Sequence, residues 1–174
     1  MTQQWTPPNG NRAAATDATA AAVSDAPNWQ RVILATAILW LGGSLVLDLI
    51  VMPTLYTAGM MTDPSFTPMG STLFSSFNHV EVISAALLLT ATLALYRQTL
   101  KAGVLAITFA VMLFGISLFY TYGLTPDMIA TGAQLNLLKT AGIPHSMDVM
   151  HGEYFGLELV KLGLVVGLMR LSQR

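Results

Sequence analysis

The chain has no cysteine, few charged residues and no excess of either sign. Of its 174 residues, 10% are charged and 53% hydrophobic, and the net charge is −1. Each shortage excludes something. Without cysteine there are no disulfides, thiolate metal sites, iron–sulfur clusters or covalently attached c-type haem. Without a basic field there is no electrostatic footprint for nucleic acid. An ordinary soluble domain carries about 25% charged residues, and a chain this short has too much surface to hide so much apolar material in its own core. A lipid bilayer removes that conflict. Catalytic signatures are lacking as well. The sequence contains no phosphate loop, GxSxG elbow, HExxH helix or Gly-rich dinucleotide turn, so no motif points to an enzyme.

What is present divides in two. Residues 1–28 are rich in Ala, Thr, Pro, Asn and Asp without apolar periodicity, which predicts a disordered polar tail. It lacks the basic lead and apolar core of a signal peptide. Residues 29–174 hold four windows of about 20 mostly apolar residues, the length a spanning helix needs. They are 32–52, stopped by Pro53, then 74–96, 102–124 and 150–171. The predicted fold is all-α: a polytopic membrane protein with a bundle of four transmembrane helices. The loop after Thr125 is mildly amphipathic around Ile129–Thr140 and predicts a short interfacial helix. Arg12 and Arg31, then Arg97 and Lys101, then Arg170 and Arg174 mark one side of the membrane. The loop from Pro53 to Thr72 has no Lys or Arg, and that from Thr125 to Val149 has Lys139 alone. The bias puts both termini on the cytoplasmic side, in a plasma or inner membrane or an internal one such as a thylakoid.

Counted from those inner charges at 1.5 Å per residue, Asp48, His79, Tyr120 and His151 lie about 25–28 Å away on four different helices. They predict one polar level near the outer face. An internal repeat reinforces the picture. A shift of 73 residues aligns Ala37, Gly42, Ser44 and Pro53 with Ala110, Gly115, Ser117 and Pro126. A shift of 72 aligns His79, Glu81 and Leu87 with His151, Glu153 and Leu159. Two duplicated helical hairpins of the same orientation would give both.

Each polar feature has a plain and a sharp reading. His-x-Glu spreads its side chains about 200° apart on a helix, so neither triplet is a metal motif by itself. His79 and His151 together predict either interfacial hydrogen bonders or ligands of haem b or a transition metal, with Glu158 as a further metal ligand. Glu158 shares a helical face with His151, and Lys161 follows three residues on. This predicts either a self-neutralising ion pair or a titratable group in a polar cavity. Asp48 reads as an outer-end charge or a partner for a histidine, and Asn78 as a cap or a bond across helices. Gly152, Gly156, Gly163 and Gly167 make two GxxxG units on one stripe, which predicts close packing against a neighbour in the bundle or a partner.

Trp40-Leu41-Gly42-Gly43, Pro53, Phe77-Asn78-His79, Thr125-Pro126 and His151-Gly152 resemble the transmembrane protein 205-like group of small four-helix proteins (domain of unknown function 4149). The resemblance covers roughly residues 30–171 and implies the same architecture. It also implies an Asn seven residues after the His of the His-Gly pair. Here Glu158 stands there, which makes the polar face ionisable. Three functions are expected, in this order. The first is an accessory, assembly or small-subunit protein acting through helix packing and outer loops, with the bilayer and another membrane protein or a second copy as partners. The second is a binder of haem or a transition metal at His79 and His151. The third is a proton-coupled carrier using Glu158 with Lys161 and His151.

Overall fold

The computed structural model describes residues 28–58, 66–99, 103–138 and 145–173. Every element in it is helical. In chain order these are α1 (Trp29–Val46), a π turn (Leu47–Val51), α2 (Met52–Thr57), α3 (Phe66–Thr99), α4 (Gly103–Phe119), a second π turn (Tyr120–Leu124), α5 (Thr125–Leu138) and α6 (His145–Ser172). The predicted tail lies outside the described residues apart from Asn28. So do Lys101, Lys139 and Arg174 of the charge pattern.

Asn28 starts α1 by accepting the Arg31 N–H on its side chain at 3.2 Å, the usual way an N-cap satisfies an orphan donor. Pro53 does not end this helix, contrary to the sequence expectation. A helical proline removes an N–H and crowds the carbonyl four residues back. Here the helix widens by one residue just before it. The Met52 N–H reaches the Leu47 carbonyl, five residues back, and α2 continues beyond the proline. Pro126 meets the same solution: the Thr125 N–H reaches the Tyr120 carbonyl, and α5 runs to Leu138 where a loop was expected. The described part of the helix expected around Ile129–Thr140, up to Leu138, therefore continues the helical rod that starts at Gly103. α3 likewise starts at Phe66, inside the loop expected from Pro53 to Thr72.

Three stretches are long and apolar enough to cross a membrane: Trp29–Leu55, Pro68–Arg97 and Gly103–Gly132. α6, with 28 residues, is long enough as well. Every 18-residue window in it, however, takes in Glu158 and Lys161 with Glu153 or Arg170. The structure shows where those two central charges go: Glu158 and Lys161 are 4% and 1% exposed, inside the protein. Large apolar side chains cover the outside instead, among them Leu39, Leu49, Ile83, Val104 and Leu159.

The helices pack as a closed ring, α1 on α3, α3 on α4, α4 on α6 and α6 back on α1. One core layer holds Ile33, Trp40, Leu88, Leu113, Val165 and Leu168, with small residues such as Ala37, Ala85 and Ala110 buried among them. Lipid is as apolar as leucine, so close van der Waals contact through small residues is what favours such packing. A second layer holds Tyr120, Leu124 and Tyr154.

The repeat is visible in burial. Ile33, Ala37, Trp40 and Ser44 of α1 are buried, and so are Ala106, Ala110, Leu113 and Ser117 of α4, each 73 residues on. The two π turns and the prolines after them keep the same spacing. For α3 and α6 the expected shift of 72 fails. It pairs buried Glu81 with exposed Glu153 and buried Leu88 with exposed Val160. A shift of 73 instead pairs Glu81, Ala85, Leu88 and Thr92 with Tyr154, Glu158, Lys161 and Val165, all buried. The His-x-Glu match is out of register by one residue.

Candidate functional site

The site lies between the two core layers, and Lys161 is its centre. α6 buries Tyr154, Glu158, Lys161, Val165 and Leu168 along one face, the spacing of three and four that a helix imposes. Two members of that face are charged. Lys161 Nζ lies 2.5 Å from Glu158 Oε2, so the pair expected from the sequence forms. Lys161 also pairs with Glu81 of α3, which the sequence reading left at the outer interface. Glu81 is 1% exposed. Its Oε1 further accepts the Trp40 indole N–H at 3.0 Å and the Ser44 hydroxyl at 3.3 Å, both from α1. α4 contributes through the π turn that follows it: Lys161 Nζ lies 5.2 Å from the Tyr120 ring centre and 5.9 Å from that of Trp40, within range of a cation–π attraction. All four helical rods thus meet at one ammonium.

Asp48 completes the charge set. It sits in the first π turn, half-buried, and its carboxyl lies close enough to Glu158, Lys161 and Glu81 for their charges to act on one another. Within hydrogen-bonding reach of it is the Glu158 carboxyl. Among the described residues no donor serves Asp48 Oδ2 or Glu158 Oε1. Three acids therefore face one base. With all four ionised the cluster carries a formal charge of −2, and uncompensated charge is costly in such an interior. Two carboxyl groups in contact can hydrogen bond only when one of them carries a proton.

Above the cluster lies a layer of aromatic and amide contacts. Tyr120 Oη donates to the Tyr154 carbonyl at 2.9 Å, and the two rings stack at 4.9 Å. Asn78 Nδ2 donates to Thr125 Oγ1 at 2.7 Å, so Asn78 does bond across helices. Beyond this layer is a cavity of about 210 Å³. Its polar lining includes Asp48, Ser71, Thr125 and His151, and its apolar lining includes Met52, Phe74, Met128, Tyr154 and Phe155. Asp48 is the acid shared between the cavity and the buried cluster.

The residues expected at one outer level separate. Asp48 and His151 line the cavity, whereas Tyr120 is buried beside Lys161. His79 is exposed on α3, and its Nδ1 lies 2.6 Å from the Ser75 carbonyl of its own helix. The cavity lining holds His151 without His79, and no group of three or more metal-ligating side chains occurs among the described residues. The structure therefore does not support a shared haem or metal site at His79, His151 and Glu158. The physical reason is helical phase: Asn78 and Glu81 face inward, and His79 follows Asn78 by about 100°. The glycine stripe also divides. A Cβ on Gly167 would lie 2.6 Å from Phe109 Cε2, whereas Gly152, Gly156 and Gly163 meet nothing within 4 Å.

Glu81 and Trp40 were missed as site residues. The signal that could have found them was the shift of 73, which puts Glu81 opposite Tyr154 on the buried face. Compared with protein families, with curated proteins and with solved structures, the chain matches none of them.

Proposed function

We propose that the chain is an integral membrane protein of four spanning helices, built as a duplicated hairpin with both termini cytoplasmic, and that it is a proton-linked carrier. The fourth span is α6, whose two central charges are turned inward. The matched π turns and buried faces support the duplication, and the motifs shared with the transmembrane protein 205-like group support the architecture. One observation carries the functional reading: Glu81 and Glu158 share the cation Lys161, and a third acid beside them, Asp48, opens on a cavity. Such a site holds a proton between Asp48 and Glu158 and gives it up when another cation arrives. Ionisable groups inside a membrane protein are expensive and mark proton or ion pathways. This is the third of the functions expected from sequence, with Glu81 and Asp48 added to it. Infrared spectroscopy of the purified chain at neutral pH tests it. The carbonyl stretch of a protonated carboxylic acid is expected in the wild type and lost in Asp48→Asn and Glu158→Gln. Its absence from the wild type overturns the reading.

A second reading, association with a second copy or another membrane protein, is favoured by the open face at Gly152, Gly156 and Gly163. Sedimentation in mild detergent after extraction from native membranes tests it, and a lone monomer counts against it.

A further inference from the structure

The cavity next to Asp48 has a composition that names its occupant. Its acid, Asp48, has an oxygen that is buried and has no hydrogen-bond partner among the described residues. Around it stand three aromatic rings, Phe74, Tyr154 and Phe155, with Phe74 and Phe155 each set edge-on to Tyr154. No lysine or arginine is among the lining residues. Carboxylate and aromatic faces together attract a cation, and the mainly apolar wall excludes a strongly hydrated one. An anion would meet Asp48 with no counter-charge on the wall. At about 210 Å³ the space exceeds the roughly 150 Å³ that suffices for one benzene ring.

We infer that this cavity binds a small aromatic or otherwise lipophilic amine in its ammonium form, with the ammonium on Asp48 and the apolar body among Phe74, Tyr154 and Phe155. The inference rests on the proton-linked reading and supplies its substrate class. The groups facing Asp48 fit the role. Glu158 and Glu81 of the buried cluster add negative charge. Lys161 is held between those two glutamates rather than on the cavity wall. Tyr120 is committed to the Tyr154 carbonyl. His151 and Tyr154 are the other titratable side chains on the wall. The exchange balances as one cation for another: the ammonium takes the place of the proton between Asp48 and Glu158, and that proton leaves to water.

Calorimetric titration of the full chain in detergent tests this, with phenethylamine as the probe and phenethyl alcohol as its neutral counterpart. Phenethylamine is expected to bind tenfold or more tightly than the alcohol, and Asp48→Asn to weaken it by about 10- to 100-fold, the worth of a charged hydrogen bond. Asp48→Glu keeps the preference for the amine. Gly132→Leu fills the cavity while leaving every acid in place, and is expected to abolish binding even if Asp48→Asn fails to fold. Equal affinity for amine and alcohol, or full amine affinity in Asp48→Asn, overturns the inference. Repeating the titration in buffers of different ionisation heat separates the two readings. Asp48-dependent amine binding without proton release upholds the amine site and overturns the proton link. An infrared acid band without amine binding does the reverse.

Discussion

The two halves of the molecule share a pattern of burial and matched π turns and differ in chemistry. α1 and α4 bury the same positions, 73 residues apart, and each runs through a π turn and on past a proline two residues beyond it. Yet Trp40 faces Leu113 across that register, Asp48 faces Thr121, Glu81 faces Tyr154 and Leu88 faces Lys161. The first half supplies Asp48, Glu81 and the neutral donors to Glu81, Trp40 and Ser44. The second supplies Lys161, Glu158 and the stacked tyrosines. The matched positions follow from helix packing and proline sterics, which depend on size and phase. Charge is complementary because a buried acid is tolerable only where a base meets it.

The largest effect should come from breaking that complementarity. Lys161→Met leaves Glu81 and Glu158 buried without their cation, and is expected to lower stability by about 3–5 kcal/mol. Its counterpart Leu88→Met, an apolar swap of similar volume, should cost less than about 1.5 kcal/mol. Thermal unfolding of both variants in detergent compares them. Equal losses would mean that the ion pairs do not hold the halves together.

The π turns offer a second contrast. Pro53→Ala and Pro126→Ala each restore an N–H and remove a steric cause of the widened turn. Pro53→Ala should move Asp48 and weaken phenethylamine binding about tenfold, roughly one charged hydrogen bond. Pro126→Ala leaves Asp48 alone, and should change stability by about 1 kcal/mol or less with amine affinity intact. Titration and melting of the pair decide whether the first turn alone serves the site.

The smallest effects separate the glycines. Gly167→Ala drives a methyl against Phe109, whose ring must shift, at a cost of about 1–3 kcal/mol. Gly163→Ala meets open space and should stay within about 0.5 kcal/mol, unless that face is covered by a partner in the membrane. Stability of Gly163→Ala measured in detergent and in native membranes distinguishes these cases.

Much of this was legible in the sequence. Apolar length marked three stretches that the structure also finds long and apolar enough to cross a membrane. The spacing of Glu158 and Lys161 offered their pair as one of two readings, and of the two readings of Asn78, a cap or a bond across helices, the second is what forms. What misled were scarce residues taken as signals in their own right. Pro53 looked like a stop because proline usually ends a helix, but one extra residue per turn absorbs it, as it does Pro126. The two His-x-Glu triplets looked like a repeat because histidine is rare in apolar segments, and they hid the true register by one position. Glu81 was therefore separated from Lys161, a contact between residues 80 apart in sequence that no local pattern encodes. The cavity was not legible at all, since it is a gap between elements rather than a property of any one of them.

The paired π turns carry a historical consequence. A π turn holds one residue more than an α turn, so the simplest way to make one is a single-residue insertion into an existing helix. Two such insertions at matched positions, each two residues ahead of a proline, are more economically explained as one event copied than as two. On the duplication proposed here, the ancestral hairpin already carried its widened turn, and the acids and the lysine came to differ between the copies only afterwards. In an ancestor of identical halves like side chains stood at like positions, so the present contrasts, Glu81 against Tyr154 and Leu88 against Lys161, arose after the copying.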